Sequence, residues 1–461
     1  MTRREPLHIV IVGAGFGGLT AAIECRKRGM NVTVIETYPT SQTFGDIIDF
    51  FPNGGRIIER WDKGRVGRDL MRICINQGDR FQYCKADGAI IWEEDWILEP
   101  HHYWRQYAGH RGQLHKVILD YAKEIGVEFA FGDRVVQYID GGSTTTGLKP
   151  SVVTASGKTY VGDIVVAADG PRSIARQQVL GLPDTKVNSG YAIFRAYFSL
   201  TDEHRKNPLF ADFCDPTTDM TKLWVSKDLH MLVYTWNKGK DIGWVLTHKD
   251  TEDIGESWSF PGKKEDVLAC LAAGGFEQKL VEMVQATPEK NLVDYKLVWR
   301  DPLATWLSPS ARITLIGDAA HCHLPTSAQG GSQAMEDGVA LAVALDRAGG
   351  DVPLGLRVFE RIRYNRSHVT HMASTSVRDG YHNVDWDGDA IKENPQVLNI
   401  PRPEWVIEYD IATESEKHFD HLAADVRSYR PGTIQELALP AGGDYGVDSR
   451  KVGHQPKTEG K

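Results

Sequence analysis

The spacing of apolar positions changes character several times along the chain, and each change predicts a change of architecture. His8-Ile9-Val10-Ile11-Val12 is an unbroken, β-branched run, the pattern of a strand buried on both faces. From Leu19 to Arg28 the residues Leu19, Ala22, Ile23 and Arg26 fall at helical spacing, Gly29 stops the helix, and Asn31 to Glu36 reads as strand again. This is a β-α-β unit, whose parallel strands require a sheet covered by helices. A second amphipathic helix covers 111–126, with Leu114, Val117, Ile118, Tyr121, Ala122 and Ile125 on one side, and a strand follows over 127–131. Residues 151–170 predict a hairpin turning at Ser156-Gly157-Lys158 and leading into the apolar strand Ile164-Val165-Val166-Ala167.

Between 181 and 300 the helical period fades. Segments 190–199, 222–226, 230–236 and 242–247 alternate apolar with polar residues or concentrate Tyr, Phe and Trp, which predicts an antiparallel sheet followed by helices at 264–273 and 277–285. The α/β pattern resumes with a strand at 312–317 and helices over 332–347 and 354–378. The predicted fold class is therefore α/β, a Rossmann-like nucleotide-binding domain interrupted by a β-sheet domain and completed by C-terminal helices. Its expected divisions are 1–180 (first part of the nucleotide-binding domain), 181–293 (β-rich substrate domain), 294–380 (second part) and 381–461 (an extension). In the extension Trp386, Trp405 and Tyr409 are candidate anchors, and the last twenty residues are expected to be disordered.

Composition narrows the function. The chain has 461 residues and a net charge of −9, so neither nucleic acid nor an anionic membrane is an expected partner, since both select basic surfaces. No apolar run reaches membrane-spanning length. The start, Met1-Thr2-Arg3-Arg4, precedes a glycine turn and charged residues rather than a secretory core. Six scattered cysteines without a CxxC pair suit a reducing compartment, and a cytoplasmic location is expected.

The chemistry begins at Gly13-x-Gly15-x-x-Gly18, placed between strand and helix, with Glu36 ending the next strand 18 residues later. Gly13 permits the turn, Gly15 the approach of a pyrophosphate and Gly18 close helix packing. The helix N-terminus attracts the phosphates, and Glu36 accepts from a ribose diol while disfavouring a 2′-phosphate. A dinucleotide site follows, although this motif alone leaves FAD and NAD open.

Two further motifs lie far along the chain: Asp169-Gly170-Pro171-Arg172-Ser173-Ile174-Ala175-Arg176, and Gly317-Asp318-Ala319-Ala320-His321 continuing through Leu324-Pro325-Thr326 to Gln329-Gly330-Gly331 and Glu336-Asp337. With these three motifs in this order, residues 8–380 resemble the single-component, class A FAD-dependent aromatic monooxygenases of the p-hydroxybenzoate hydroxylase-like fold. The resemblance implies FAD as cofactor, NADPH or NADH as co-substrate, O2, and a small aromatic substrate oxidised through a flavin C4a-hydroperoxide. It implies that Asp318 bonds a ribose or ribityl hydroxyl, that the Gly330 and Gly331 N–H groups face the flavin N1/C2 carbonyl edge, that Pro325 lies near the reactive carbon, and that Arg111 contacts the pyrophosphate. Asp49, in Gly45-Asp46-Ile47-Ile48-Asp49, stands where the family usually has a glycine-rich run, so any contact there would be through backbone.

Candidate substrate residues come from the β-rich segment. Tyr191, Phe194, Tyr234 and Trp236 are pocket candidates that also fit plain core packing. Arg195 is a lone charge in Tyr191-Ala192-Ile193-Phe194-Arg195-Ala196-Tyr197-Phe198; it suits either a solvent-facing position or a pocket donor. Because arginine keeps its proton, its catalytic reading is a fixed hydrogen-bond donor rather than a base. Fungal natural-product members of the family carry a pocket arginine in a similar strand. Members acting on prenylated indole alkaloids have a Gly-Asp step like Gly45-Asp46, and Ile57-Ile58-Glu59-Arg60-Trp61 is similar to that subgroup. This makes Asp46 the second catalytic candidate, against the plainer reading of an Asx-turn. His321-Cys322-His323 lacks the further ligands a zinc site needs, so no metal is expected. The leading expectation is oxidation of an indole-containing natural product at its C2=C3 bond. Hydroxylation of a phenolic acid such as salicylate or hydroxybenzoate, and a flavin oxidase or dehydrogenase, remain alternatives.

Overall fold

The computed structural model describes residues 5–40, 47–75, 80–95, 106–142, 148–183, 186–250, 260–300, 303–323, 327–382, 389–395 and 403–428. Asp46, Pro325, Trp386 and the last twenty residues, all named above, lie outside them.

A five-stranded parallel sheet runs in the order Ile313–Leu315, Ile164–Ala167, His8–Val12, Asn31–Glu36, Glu128–Phe131. Its central strands are the continuous apolar runs of the sequence, and Ile9, Val10, Ile11, Val165 and Val166 are fully buried. Helix Phe16–Lys27 crosses over from the first strand and packs along helix Gly330–Arg347, which is buried for most of its length. The late strand Ile313–Leu315 sits at the sheet's edge, so the nucleotide-binding unit is closed by residues from both ends of the interruption.

The interruption is an eight-stranded sheet. Strand Lys186–Ser199 lies between Val293–Arg300 and Asp241–Lys249, and the sheet continues through Leu229–Trp236 and Thr221–Ser226. It also recruits Arg80–Lys85 and Ile90–Asp95, so the β-rich domain begins earlier in sequence than the expected boundary at 181. The reason is burial: Phe81 and Tyr83 need partners and find Leu223, Val225 and Leu232. One face of this sheet is covered by helices Lys264–Gly274 and Gln278–Ala286, forming a core around Trp224, Met231, Trp244 and Leu271. The other face turns toward the nucleotide-binding unit. There a two-stranded ribbon, Ile47–Phe50 paired with Tyr107–His110, meets Tyr197, Tyr234 and Trp236.

The C-terminal helices strap onto this frame. Arg366 on the long helix Val352–His382 donates to the carbonyls of Trp405 and Val406 at 2.9 and 2.8 Å and lies 3.9 Å from the Tyr409 ring centroid. Arg60 pairs with Asp410 at the head of helix Ile411–Arg427.

Candidate active site

The three motifs meet at one end of the parallel sheet. Gly13 has φ +103°, and a Cβ there would lie 2.3 Å from the carbonyl oxygen of Ala168, immediately before Asp169-Gly170. A Cβ on Gly18 would lie 2.1 Å from the Gly13 carbonyl oxygen, whereas one on Gly15 would meet nothing within 4 Å. The turn is thus packed from behind and open toward a ligand, as a pyrophosphate cradle requires. Glu36 accepts from the backbone N–H of Ala14 at 2.8 Å and of Tyr38 at 2.9 Å, which fixes the carboxylate beside the turn. His115 binds the Ala14 carbonyl at 2.6 Å, and burial holds its imidazole below the ordinary value.

Arg176, from the second motif, reaches its own Pro171 carbonyl at 2.6 Å and the Asp318 carbonyl of the third. Burial raises the Asp318 carboxyl, opposed by the charges of Arg111, His321, Arg176 and Arg300 that converge on it. Arg111 opens helix Arg111–Glu124, and its guanidinium is 5.9 Å from the Phe16 ring centroid, close to the glycine turn. Gly13, Gly15, Gly18, Glu36, Arg111 and Asp318 are therefore neighbours in space.

Gly330 and Gly331 form the N-terminus of helix Gly330–Arg347, with its free N–H groups and positive dipole end. Ser327 Oγ and Gln329 Nε2 are buried beside it without a hydrogen-bond partner among the described residues. Buried polar atoms of this kind call for a polar ligand, so the residues present fit a dinucleotide ending in a polar heterocycle such as flavin. Beneath the helix a charged cluster is sealed from water. Arg363 Nε donates to Asp337 at 2.8 Å, Arg366 to both oxygens of Glu336 at 2.7 Å, and Asn53 to Glu336 at 2.7 Å and to Gln329 at 3.1 Å. Asp337 also accepts from the Gly317 N–H at 2.9 Å and holds His321 Nε2 at 2.5 Å. Burial pushes both carboxyls up. Arg366 and Arg363 more than reverse this for Glu336, as do His321 and Arg363 for Asp337, so both end below their ordinary values.

Asp49 pairs with Ala108 in the ribbon, and its carboxylate accepts from Gln106 Nε2 at 2.8 Å. Its strand neighbours Ile48 and Phe50 are the residues that approach Gly331, so the Asp49 side chain is turned from that helix end.

On the large sheet the alternation of side chains separates two residues grouped together in the sequence reading. Phe194 points into the helix-covered core beside Trp224, Trp244 and Leu246 and stacks on His248 at 4.2 Å. Its assignment to the pocket is corrected: it packs on the face away from the nucleotide-binding unit. Arg195 takes the opposite face, half-buried, with its guanidinium 6.0 Å from the Tyr295 ring centroid. The strand register places it in the row Val293, Arg195, Val245, Leu232, Leu223, Tyr83, Trp92, where it is the single charge. Tyr234 lies on that face, fully buried, and its phenolic oxygen accepts from the Ile47 N–H at 2.8 Å. Sequence reasoning missed His110, Asn53, Arg363 and Arg366. The pair Arg363/Arg366, one helical turn apart, was the available signal of a carboxylate partner.

A family described as "FAD binding domain" matches residues 81–348, and a second FAD-binding family matches 8–44. The chain is 30% identical over 457 residues to "FAD-dependent monooxygenase nanF" of Aspergillus nanangensis, covering 95% of this chain and 94% of the relative. It is 29% identical to "Asperlicin C monooxygenase" of Petromyces alliaceus, covering 95% and 92%. Among solved structures it is similar to CtdE in complex with FAD and a substrate (TM-score 0.84, 28% identity, covering 91% of this chain and 100% of that one) and to FqzB (TM-score 0.83, 31% identity, covering 96% and 99%). The chain belongs to the FAD-dependent monooxygenases of the FAD-binding-domain family. No helix among the described residues is long and apolar enough to cross a membrane.

Proposed function

We propose that this monooxygenase uses NAD(P)H and O2 to oxidise an indole-containing natural product at its C2=C3 bond, giving an epoxide that opens or rearranges to a spiro-oxindole. The observation that carries the reading is the placement of Arg195, one permanent cation in an otherwise apolar and aromatic row on the sheet face turned toward the cofactor unit. A flat aromatic substrate suits such a row, and the fork of the guanidinium suits an oxygen that gains negative charge as an epoxide opens. FAD, when bound, supplies the activation of O2. Gly13, Gly15, Gly18, Glu36, Arg111, Asp318, Gly330 and Gly331 are assigned to holding it. Arg195 and Asp46 are assigned to the substrate, Asp46 by accepting from an indole N–H or a protonated amine. The Gly45-Asp46 and Ile57–Trp61 similarities to indole-alkaloid enzymes, and a curated relative named for asperlicin C, support this choice.

The test is a substrate screen scored by stimulation of NADPH and NADH consumption, with labelled O2 and product analysis. One labelled oxygen in an oxidised indole product is expected, and Arg195→Ala is expected to keep FAD but lose turnover. Stimulation by salicylate-type phenolic acids alone would assign the enzyme to phenol hydroxylation. Hydrogen peroxide formed one-to-one with substrate oxidation would make it an oxidase.

A further inference from the structure

His110 performs two tasks that are usually given to different residues. It ends the strand Tyr107–His110 and is the N-cap of helix Arg111–Glu124, with Nδ1 accepting from the Gln113 N–H at 3.4 Å. Asn, Asp, Ser and Thr are the ordinary choices for that task. Accepting at Nδ1 places the ring proton on Nε2 and sets the ring's orientation. The same ring, 4% exposed, crosses into the other domain. It meets Tyr197 edge-to-face at 4.5 Å and lies 5.9 Å from Trp236. Tyr197 is two residues beyond Arg195, on the same sheet face. Across the ribbon His110 pairs with Ile47, whose N–H is held by Tyr234. One imidazole therefore touches the proposed substrate wall and caps the helix whose first residue is Arg111.

We infer that His110 is a positioning residue that couples the aromatic wall of the substrate sheet to the grip on FAD. Displacing Tyr197 tilts the ring, the tilt loosens the cap, and the first turn carrying Arg111 shifts relative to the glycine turn. The inference rests on the FAD-monooxygenase assignment and on Arg111 facing the cofactor. By linkage, whatever orders Tyr197 also tightens FAD.

The test is a double-mutant cycle on the FAD dissociation constant, followed by flavin fluorescence on protein stripped of and reloaded with FAD. Tyr197→Leu, which lies outside the cofactor cradle, is expected to weaken FAD by about five-fold or more when His110 is present. In a His110→Asn background, where the cap is kept but the ring is gone, the same change is expected to have no effect. Tyr197→Phe, which keeps the ring, is expected to restore wild-type affinity and serves as the folded reference. Equal weakening by Tyr197→Leu in both backgrounds, or none in either, would overturn the coupling. Failure of the wild-type chain to take up FAD would instead remove the family reading beneath it.

Discussion

The backbone N–H of Ile47 donates to the phenolic oxygen of Tyr234 at 2.8 Å, joining a strand of the nucleotide-binding unit to the middle of the large sheet. This contact pins the ribbon directly after residue 46, next to the region assigned to substrate recognition. Tyr234→Phe leaves the donor without its acceptor, at a cost of about 1–3 kcal/mol where water cannot replace it. The expected result is a lower urea midpoint together with a raised KM. An unchanged midpoint and KM would show that the bond is dispensable.

Gly15 and Gly18 separate folding from cofactor capture. A Cβ on Gly18 collides with backbone, so Gly18→Ala is expected to lower the stability of the FAD-free protein by a few kcal/mol, in the range of other strained core changes. Gly15 has open space, so Gly15→Ala is expected to leave the FAD-free melting temperature within error while reducing FAD affinity by roughly 100-fold or more. Calorimetry with and without FAD checks both. Equal loss of FAD-free stability in the two variants would contradict the geometry.

Arg195→Lys keeps the charge but loses the planar fork. If the guanidinium steadies developing negative charge, the lysine variant is expected to lose about 10²-fold in kcat, within the range known for removal of one such donor. FAD content and KM are expected to change little. Wild-type kcat in Arg195→Lys would reduce the role to simple charge.

Buried histidines make stability depend on pH well before the carboxylates do. Burial, with His321 and His371 nearby, drives His323 far below the ordinary imidazole range. Burial with the same neighbours holds His368 at about 3, and burial with His321 holds His371 at about 4. The unfolded chain protonates these rings below roughly pH 6.5. It therefore binds more protons than the folded chain as pH drops, and stability falls by at most about 1.4 kcal/mol per pH unit for each ring. Glu336 and Asp337, depressed below their ordinary values, keep their contribution until more acid conditions. A urea midpoint that declines between about pH 7 and 5, with a shallower decline in His371→Gln, is expected. A flat midpoint across that interval would argue that these rings titrate alike in the folded and unfolded chains.

Much of this architecture was legible because local patterns and tertiary roles coincided. The run His8–Val12, the glycine turn and the stop at Gly29 each specify their conformation without help from distant residues. The two helices near 264 and 278 were likewise readable from period alone. Recruitment of Arg80–Lys85 to the large sheet was not legible, since a parallel neighbour at Thr221–Ser226 lies about 140 positions away and leaves no local mark. Phe194 and Arg195 show the same limit at the site. Alternation states that they face opposite ways, but only the packed helices decide which face is core. The double use of His110 depends on a contact between domains, which no spacing encodes.

The placement of Ile313–Leu315 at the edge of the parallel sheet bears on how the protein is made. A ribosome must release the whole interrupting sheet before the parallel sheet acquires its edge strand, and the Gly330 helix follows later still. Until then the four-stranded sheet offers an unpaired apolar border beside Ile164–Ala167, a species prone to association. The cradle assigned to FAD is therefore completed only once Ile313–Leu315 and the Gly330 helix have both emerged.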